Sequence, residues 1–259
     1  MIIAERQSRL RDLLARRGMS DLDSLAAELR VSQSTVRRDV DALVEEGLVT
    51  RTHGGVIWVG DRNGSPNARP YAFDARMEYQ VDAKKAIAKA ARKLVGQGET
   101  ILLDGGTTTH YLAEELLGMQ LQIVTNSLPI ANLFINDESV ELILTGGLMY
   151  PRYGVLLGPT AENFISTIHV KTMFFSVAGI HEGSLYNQNV LLVQAEQRMM
   201  QRSQRKVLLV DAGKFGQQAL SRLCSLGEID TVVTDASLPR GHQKLVREAG
   251  CQLILAPQT

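Results

Sequence analysis

The sequence predicts an N-terminal winged helix-turn-helix domain followed by a C-terminal α/β domain built on a parallel sheet. Three features of the sequence support this prediction. Residues 1–60 have a helical spacing of apolar residues and then a hairpin pattern, residues 60–70 are rich in glycine, proline and asparagine, and the later residues alternate between helix and strand patterns. We therefore assign residues 1–60 to the first domain, 61–72 to a linker and 73–259 to the second domain.

Three helices are predicted in the first domain from apolar residues that recur at helical intervals. Along the chain these residues are Leu10, Leu13 and Leu14, then Leu22, Leu25, Ala26 and Leu29, then Val36, Val40, Leu43 and Val44. Ser20 and Ser32 are suited to cap the second and third helices, and Gly47 is suited to end the third. Two short β-type runs on either side of Gly54 and Gly55 then predict a hairpin.

The third predicted helix has the features of a DNA-recognition helix. Its polar residues fall outside the apolar stripe and are able to face the major groove, where arginine makes bidentate contacts to guanine. The candidate DNA-binding residues, two of them from the hairpin, are Ser32, Gln33, Ser34, Thr35, Arg37, Arg38, Arg51 and His53. The alternative is a solvated helix face on which Arg37 and Arg38 pair with Asp39 and Asp41. Residues 1–60 hold nine arginines and nine acids, 9 − 9 = 0, so the assignment depends on where the arginines lie.

Composition excludes several other classes of protein. Hydrophobic residues make up 44% and charged residues 22% of the chain, which is typical of a globular protein. No apolar run approaches the roughly 18 residues of a membrane span, and charges interrupt the apolar positions of the N-terminus, unlike a signal peptide. The two cysteines predict neither a disulfide framework nor a zinc site, and the five histidines lack metal-ligand spacing. We expect a cytoplasmic protein with two buried thiols and no cofactor.

Seven apolar runs bounded by turn residues predict the strands of the second domain. They cover residues 100–104, 121–126, 140–147, 171–179, 205–213, 230–235 and 251–257. Helical patterns precede and separate them, the first over residues 82–95. This alternation indicates a parallel sheet with helices on both faces, and such sheets bind ligands beyond the carboxyl ends of their strands.

Polar residues and glycines that follow the predicted strands form a candidate ligand-binding site. They are Asp104, Gly105, Gly106, Thr107, Thr108, Thr109, Thr125, Asn126, Ser127, Gly146, Gly147, Gly179 and Lys214. The loop 104–109 is the strongest candidate, because its glycines let backbone N–H groups converge on a phosphate and its threonines add hydroxyl donors at a helix start. It matches neither a P-loop nor a dinucleotide fingerprint, so no nucleotide is predicted. The competing interpretation is an ordinary turn with a helix cap.

Two parts of the sequence carry a family resemblance. The run LAAELRVSQSTVRRDVDALVEEGLVTRTHGG (residues 25–55) and a series of shorter pieces in residues 73–259 resemble the DeoR family of bacterial sugar-metabolism repressors. The shorter pieces are Phe73, Arg76, Lys85, the loop 104–109, residues 125–127, Gly146, Gly147, Gly158, Gly179, Glu196, Asp211 and Lys214. The resemblance implies a sensor domain related in fold to ribose-5-phosphate isomerase and glucosamine-6-phosphate deaminase, with a phosphorylated sugar as effector. It further implies release of DNA on effector binding and assembly into dimers or larger oligomers, and it adds Glu196 to the candidate site.

Together these features predict a DNA-binding transcriptional regulator, a repressor of a carbohydrate catabolic operon controlled by a phosphorylated sugar. The expected partners are double-stranded operator DNA, the sugar phosphate and further copies of the chain in a dimer or tetramer. The alternative is a sugar-phosphate isomerase or deaminase that carries a DNA-binding domain. Pentose isomerases have an acidic Asp-Gly-Ala-Asp-Glu motif, whereas the corresponding residues 176–183 read SVAGIHEG and lack its first acids, so we expect no enzyme activity.

Overall fold

The computed structural model of the chain describes residues 3–17, 19–46, 48–52, 55–58 and 73–257. The chain divides into two compact units, Met1–Ala75 and Arg76–Thr259. The residues predicted to form the linker, 61–72, lie outside the described residues. Within the part of the chain that the structure describes, no helix is long and apolar enough to cross a membrane.

The first unit contains a helix-turn-helix and a small antiparallel sheet. In chain order its described elements are α1 (Ile3–Arg17), β1 (Met19–Ser20), α2 (Leu22–Leu29), α3 (Gln33–Glu45), β2 (Val49–Thr52) and β3 (Gly55–Trp58). β2 and β3 form the predicted hairpin, with Val49 opposite Trp58 and Thr52 opposite Gly55. β1 pairs with the other edge of β3 and was not predicted, because two residues are too short for a periodic pattern. The helices and the hairpin confirm the prediction of a winged helix-turn-helix.

The starts of α2 and α3 show which cap predictions are correct. The hydroxyl of Ser32 accepts a hydrogen bond from the N–H of Thr35, so Ser32 caps α3 as predicted. The prediction for Ser20 is wrong, because Ser20 ends β1 and Asp21 caps α2 by accepting the N–H of Ser24 at 2.7 Å. Gly47, the predicted end of α3, lies outside the described residues.

An apolar cluster packs α1, α2 and α3 against the hairpin. Its members with no exposed surface are Leu10, Leu14, Leu25, Val36, Val40 and Leu43. The prediction that Val44 belongs to the buried stripe is wrong, because 38% of its surface is exposed. On α3 the polar residue Asp39 is buried instead, at 3% exposure. The reason is an ion pair with α1, described below.

The remaining elements alternate between helices and strands. In chain order they are α4 (Phe73–Met77), α5 (Val81–Arg92), β4 (Thr100–Leu103), α6 (Thr107–Glu115), β5 (Leu121–Thr125), α7 (Leu128–Leu133), β6 (Val140–Leu144), β7 (Leu148–Tyr150), β8 (Val155–Leu157), α8 (Pro159–Thr167), β9 (Val170–Phe175), β10 (Gly179–His181), β11 (Ser184–Asn187), α9 (Val190–Gln201), β12 (Ser203–Leu209), β13 (Ser221–Ser225), β14 (Thr231–Asp235), α10 (Arg240–Glu248) and β15 (Gln252–Ala256).

A seven-stranded sheet in the order β15-β14-β12-β9-β4-β5-β6 forms the centre of the second unit. Every neighbouring pair in it is parallel. Each predicted strand of the second domain corresponds to one strand of this sheet, which confirms the prediction of a parallel α/β fold. Cys224 and Cys251 are free and buried in the same unit, as expected.

Apolar clusters cover both faces of this sheet. Ile101 and Leu103 of β4 pack with α5, α6 and α7 on one face, whereas Leu102 between them packs with α8, α9 and α10 on the other. All three side chains have no exposed surface. A strand buried on both sides reads as a continuous apolar run, which is why the sequence pattern identified these strands.

Three predicted strands end earlier than the apolar runs suggested. One is β12, which ends at Leu209 within the run 205–213. The run 140–147 contains β6, which ends at Leu144, and the run 171–179 contains β9, which ends at Phe175. After β6, Gly146 and Gly147 have φ angles of 69° and 114° and turn the chain into an antiparallel hairpin of β7 and β8. A second antiparallel sheet, β10-β11-β13, follows β9. Neither was predicted, because their strands are short.

The β7–β8 hairpin is attached to the carboxyl end of β5. Ser127 forms a bridge with Val155, and the N–H of Leu156 donates to the carbonyl of Asn126 at 2.7 Å. The hairpin therefore lies beside the residues that follow the central strands, which is the edge where the candidate site was predicted.

We expect Gly147→Ala to destabilise the second unit more than Gly118→Ala. Both glycines have positive φ angles, 114° and 75°, which cost an alanine about 1–2 kcal/mol. At position 147 the new Cβ would also lie 2.6 Å from the carbonyl oxygen of Leu157, and such overpacking adds about 1–3 kcal/mol. At position 118 the Cβ would meet nothing among the described residues within 4 Å. Urea unfolding of the full-length protein measures both changes, and equal midpoints would contradict this account.

Candidate functional site

The start of α3 places most of the candidate DNA-binding residues on one surface. The Oγ of Ser32 lies 2.9 Å from the hydroxyl oxygens of both Ser34 and Thr35, so the three hydroxyls cluster at the helix start. The residues of this surface that are exposed are Ser32, Gln33, Ser34, Arg37 and Arg38. Positions three and four apart on a helix are neighbours, so these side chains point away from the buried stripe together.

The wing residues are less completely placed. The backbone of Arg51 lies in β2, but its side chain is outside the described part of the structure, as is the whole of His53. Their contacts with DNA stay predictions.

Arg6 on α1 holds α3 through a buried carboxylate. The Nε and Nη2 of Arg6 donate to the two carboxylate oxygens of Asp39 at 2.5 and 3.0 Å. A bidentate pair of this kind sets orientation as well as distance. Because Asp39 directly follows Arg38 on α3, the pair controls the rotation of this helix and therefore the direction of its exposed arginines. Sequence reasoning missed Arg6 because it lies 33 residues away, and it considered Asp39 only in the alternative of a solvated helix face.

We expect Arg6→Gln to lower the melting temperature of the first unit, whereas Arg9→Gln should not. The first change leaves the buried carboxylate of Asp39 without its cation, and Arg9 is an exposed residue of the same helix. The double variant Arg6→Met/Asp39→Leu should recover stability, because it removes both charges together. Thermal melts of the full-length protein followed by circular dichroism test this. A parent-like melt for Arg6→Gln would show that the pair contributes nothing.

Replacing a base-reading arginine of α3 should cost about 1–3 kcal/mol of specific DNA affinity, whereas loss of a phosphate contact should weaken binding to all sequences alike. A duplex selected from a random pool by the full-length protein serves as the specific probe, and the unselected pool as the non-specific one. Arg37→Ala and Arg38→Ala are compared with Arg247→Ala, an exposed arginine of α10 in the second unit. If both α3 variants bind the selected duplex like Arg247→Ala, this helix face does not read DNA.

In the second unit, Asn126 joins the ends of β4 and β5. Its Oδ1 accepts the N–H of Gly105 at 3.0 Å, and its Nδ2 donates to Oδ1 of Asp104 at 3.1 Å. Asp104 and Asn126 are buried, at 1% and 0% exposure. Burial raises the pKa of Asp104 to about 6, against the opposing effects of the Gly105 N–H, the Asn126 amide and Glu196. The structure therefore brings these three predicted residues together.

The threonines of the loop 104–109 are buried at the start of α6. The hydroxyl of Thr109 donates to the carbonyl of Gly106 at 2.8 Å, and Gly106 is the N-cap without a side chain to accept the first N–H groups. Thr107 and Thr108 are 7% and 3% exposed. The first N–H groups of a helix have no partner inside the helix, so the start of α6 presents backbone donors suited to an anion.

Close packing explains several of the other candidate residues. A Cβ added to Gly105 would lie 2.1 Å from Cγ1 of Val155, and one added to Gly179 would lie 2.2 Å from the carbonyl oxygen of Gln217. The hydroxyl of Thr125 donates to the carbonyl of Leu103, and the hydroxyl of Ser127 accepts the N–H of Ile130 and caps α7. With Gly146 and Gly147, which turn the chain after β6, these residues shape the edge of the sheet.

Glu196 faces the same edge from α9. It is 2% exposed, and its Oε1 accepts a hydrogen bond from Nδ2 of Asn187 at 2.5 Å. The Oδ1 of Asn187 in turn accepts the N–H of Ala178 at 2.7 Å. Burial and then the neighbouring Asp104 raise the pKa of Glu196 well above its ordinary value. Sequence reasoning missed Asn187, because a single asparagine in a short strand carries no pattern.

A group of cations lies near Asp211, after β12. Lys84 on α5 is 3% exposed, and its Nζ donates to the carbonyls of Arg76 and Tyr79. Burial lowers the pKa of Lys84 to about 8; Asp211 opposes this change, and the positive charges of Lys214 and Arg76 add to it. Burial also lowers the pKa of Lys214, with the same opposition from Asp211 and a further lowering by Arg76.

Of these cations, only Lys214 was a candidate from its position after a predicted strand. The resemblance also named Arg76. It named Lys85, however, and not the buried Lys84. Lys85 is exposed, with its Nζ 6.0 Å from the ring centroid of Tyr111. The Arg76 guanidinium lies 4.8 Å from the ring centroid of Tyr153, a residue of the β7–β8 turn. The helical spacing of residues 82–95 could have shown that Lys84 falls on the buried side of α5.

No group of three or more histidine, cysteine, aspartate or glutamate residues that could hold a metal ion occurs in the described ranges. The site as described consists instead of carboxyls, amides, lysines and the start of α6.

Family models and related proteins agree with both units. The model of the DeoR-like helix-turn-helix domain matches residues 6–61, and that of the DeoR C-terminal sensor domain matches residues 79–236. The HTH-type transcriptional regulator YulB of Bacillus subtilis is 30% identical over 259 residues, which cover 99% of this chain and 98% of that protein. The L-fucose operon activator of Haemophilus influenzae is 31% identical, with 92% and 94% covered. The glycerol-3-phosphate regulon repressor of Escherichia coli is 30% identical, with 97% and 98% covered.

Among solved structures, ribose 5-phosphate isomerase A from Methanocaldococcus jannaschii is similar over 51% of this chain and 53% of that chain, at 20% identity and a TM-score of 0.38. A likeness at this level carries no argument about function, and the fold rests on the strand order described above.

Proposed function

The chain belongs to the DeoR family of transcriptional regulators, a non-enzymatic family, and on this premise we propose that it represses a carbohydrate catabolic operon and is controlled by a phosphorylated sugar. In this proposal residues 1–60 bind operator DNA, residues 61–72 form a linker, and residues 73–259 sense the effector. The choice of effector rests on two groups of buried charges in the second unit. One is the group of cations near Asp211, and the other is the pair of carboxyls Asp104 and Glu196.

The cations support a phosphate. The positive charge of Arg76 lowers the pKa of both Lys84 and Lys214, and the carboxylate of Asp211 opposes both changes. Buried cations beside a single carboxylate favour an additional anion, and a phosphoryl group carries a charge of about −1.5 to −2 near neutral pH. The first N–H groups of α6, after Gly106, offer further donors to the same kind of group.

The acidic part of the site supports the sugar itself. Asp104 and Glu196 would repel a phosphate, but carboxyl groups accept hydrogen bonds from sugar hydroxyls. Asn126 and Asn187 hold these carboxyls in place. A ligand with an anionic end and a hydroxylated end matches this separation of charges. The other candidate residues would shape and line the space between the two ends. They are Thr107, Thr108, Thr109, Thr125, Ser127, Gly105, Gly106, Gly146, Gly147 and Gly179.

The related proteins support regulation of sugar and polyol metabolism, and they include both a repressor and an activator. One is a repressor of a glycerol-3-phosphate regulon and another is an activator of an L-fucose operon. We propose repression here, with the effector releasing operator DNA. We also propose a cytoplasmic homo-oligomer, because helix-turn-helix proteins that bind as dimers place two recognition helices in successive major grooves.

We expect full-length protein to bind phosphates of ribose, fructose, glucosamine or glycerol in titration calorimetry, and not to bind the unphosphorylated compounds. For the member of this panel that binds, Lys214→Ala should weaken affinity about 10- to 150-fold, since a hydrogen bond to a charged group is worth about 1.5–3 kcal/mol. Lys244→Ala, at an exposed lysine of α10, is the control and should bind like the parent.

A gel-shift titration of the selected duplex with the same compound then tests release of DNA. Equal affinity for a sugar and its phosphate would contradict the proposed effector class. Unchanged affinity in Lys214→Ala would contradict the cation site while leaving the effector class intact.

A further inference from the structure

Two buried carboxyl groups meet at the edge of the sheet. Asp104 follows β4 and Glu196 lies on α9, and they are 1% and 2% exposed. They lie close enough for each carboxyl to influence the pKa of the other. Two ionised carboxylates in contact in a buried position repel strongly, so one of the pair is expected to hold a proton.

The neighbouring asparagines determine which oxygens can carry that proton. Asn126 and Asn187 each accept a backbone N–H through Oδ1, at 3.0 and 2.7 Å, so the orientation of each amide is set. Each therefore turns its NH2 group towards a carboxyl, Asn126 to Oδ1 of Asp104 and Asn187 to Oε1 of Glu196. Because these two carboxyl oxygens accept hydrogen bonds from the amides, neither of them carries a proton that points towards its asparagine.

The other two oxygens have a different environment. Oδ2 of Asp104 and Oε2 of Glu196 are buried, and no donor among the described residues reaches either of them. A buried acceptor without a donor is costly, and a proton held between these two oxygens satisfies both at once.

We propose that Asp104 and Glu196 share one proton between Oδ2 and Oε2, so that a carboxylic acid donates to a carboxylate and joins the loop after β4 to α9. Loss of this proton places two negative charges side by side and breaks the hydrogen bond between Asp104 and Glu196. The pair therefore makes the second unit sensitive to pH. This inference rests on the contacts of the pair and does not depend on the identity of the effector.

Other ionisable groups surround the pair. The thiol of Cys224 on β13 is one of them, and its pKa is raised by burial and then by Glu228 and Glu196. The remaining ionisable residues lie on α9 itself and on the elements packed against the two carboxyls, and none of them is among the main causes of the pKa shift of either carboxyl. They are Arg198 on α9, Glu162 on α8, Tyr186 on β11, Arg205 and Lys206 on β12, Arg222 on β13, His110, Tyr111 and Glu114 on α6, Lys171 on β9, and Tyr150 and Tyr153 of the hairpin.

Stability should fall as the pH rises. Both carboxyls have a raised pKa in the folded protein, so the folded state binds protons that the unfolded chain has already released. The contribution of the pair is present in full below the pKa of an unfolded carboxyl. It is lost as the pH rises through about 6, the pKa of Asp104, and on through the higher range in which Glu196 titrates.

Amide substitutions distinguish a shared proton from two independent acids. In Glu196→Gln or Asp104→Asn the new NH2 group takes the place of the shared proton and donates to the remaining carboxylate. Each single variant should therefore fold, and should melt at least as high as the parent above about pH 6. The double variant sets two NH2 groups against each other without an acceptor, and should melt about 5 °C or more below either single variant.

The experiment is a series of thermal melts of the full-length protein across pH. Lys84, with a pKa lowered to about 8, titrates in the same range, so the quantity to compare is the difference between parent and variant at each pH. Glu162→Gln on α8 is the matched control. A parent-to-variant difference that grows with pH for both single variants, with a double variant less stable than either, supports the shared proton.

Other outcomes overturn it. One is a double variant at least as stable as the single variants. Another is a parent-to-variant difference in melting temperature that stays constant with pH or equals that of Glu162→Gln. A third is failure of a single amide variant to fold, since each amide fits the proposed hydrogen bond.

Discussion

The second unit depends on how the buried end of β4 satisfies its polar groups. β4 is an interior strand of the sheet, between β9 and β5, and the residue after it, Asp104, is a carboxyl with 1% exposure. A carboxyl in such a position needs partners, because water cannot reach it. Asn126 from the next strand and Glu196 from α9 provide them. The position of the candidate site therefore follows from a requirement of folding, since the same contacts tie three elements together at the edge where a ligand would bind.

A similar arrangement orders the first unit. Asp39 is a buried acid on α3, and its partner Arg6 comes from α1. In each unit a buried carboxyl on one element is oriented by a side chain from another. Buried polar contacts of this kind contribute little net stability in general, but they admit few alternative arrangements. Here they set the direction of the residues that we propose for recognition, which are the exposed arginines of α3 and the carboxyls of the sheet edge.

The buried charges of the candidate site form one group of mainly positive charge and one pair of acids. Lys84 and Lys214 lie with Arg76 near one acid, whereas Asp104 and Glu196 lie together and are held by neutral amides. Burial lowers the pKa of the lysines and raises that of the carboxyls, because in both cases it disfavours the charged form. A ligand that brings an anion to the lysines and hydroxyls to the carboxyls would relieve both. This separation of charges is the basis of our proposal that the effector is a phosphorylated sugar.

The sequence by itself determined the order of the elements, the winged helix-turn-helix, the seven parallel strands and the glycine loop after β4. These features are local, since they depend on the spacing of apolar residues and on turn residues within about 10–20 positions. Short pieces escaped prediction: β1, the β7–β8 hairpin and the β10-β11-β13 sheet each have too few residues for a period to show. The roles of Ser20 and Val44 were predicted wrongly for a related reason. Asp21 can cap α2 as well as Ser20 can, and the helical period does not show which residue at the edge of the α3 stripe is buried.

Only the tertiary structure decided which polar residues meet. Arg6 and Asp39 are 33 positions apart, and Asp104 and Glu196 are 196 − 104 = 92 positions apart. No local pattern records such pairs, since each residue alone is consistent with a solvated surface or a helix cap. Their partners are set by strand order and helix packing, which arise from the burial of the whole core. For the same reason the sequence could indicate a phosphate loop and the buried side of α5, but not the partners of Lys84 or Asn187, which are set only once α5 and β11 have packed beside the sheet.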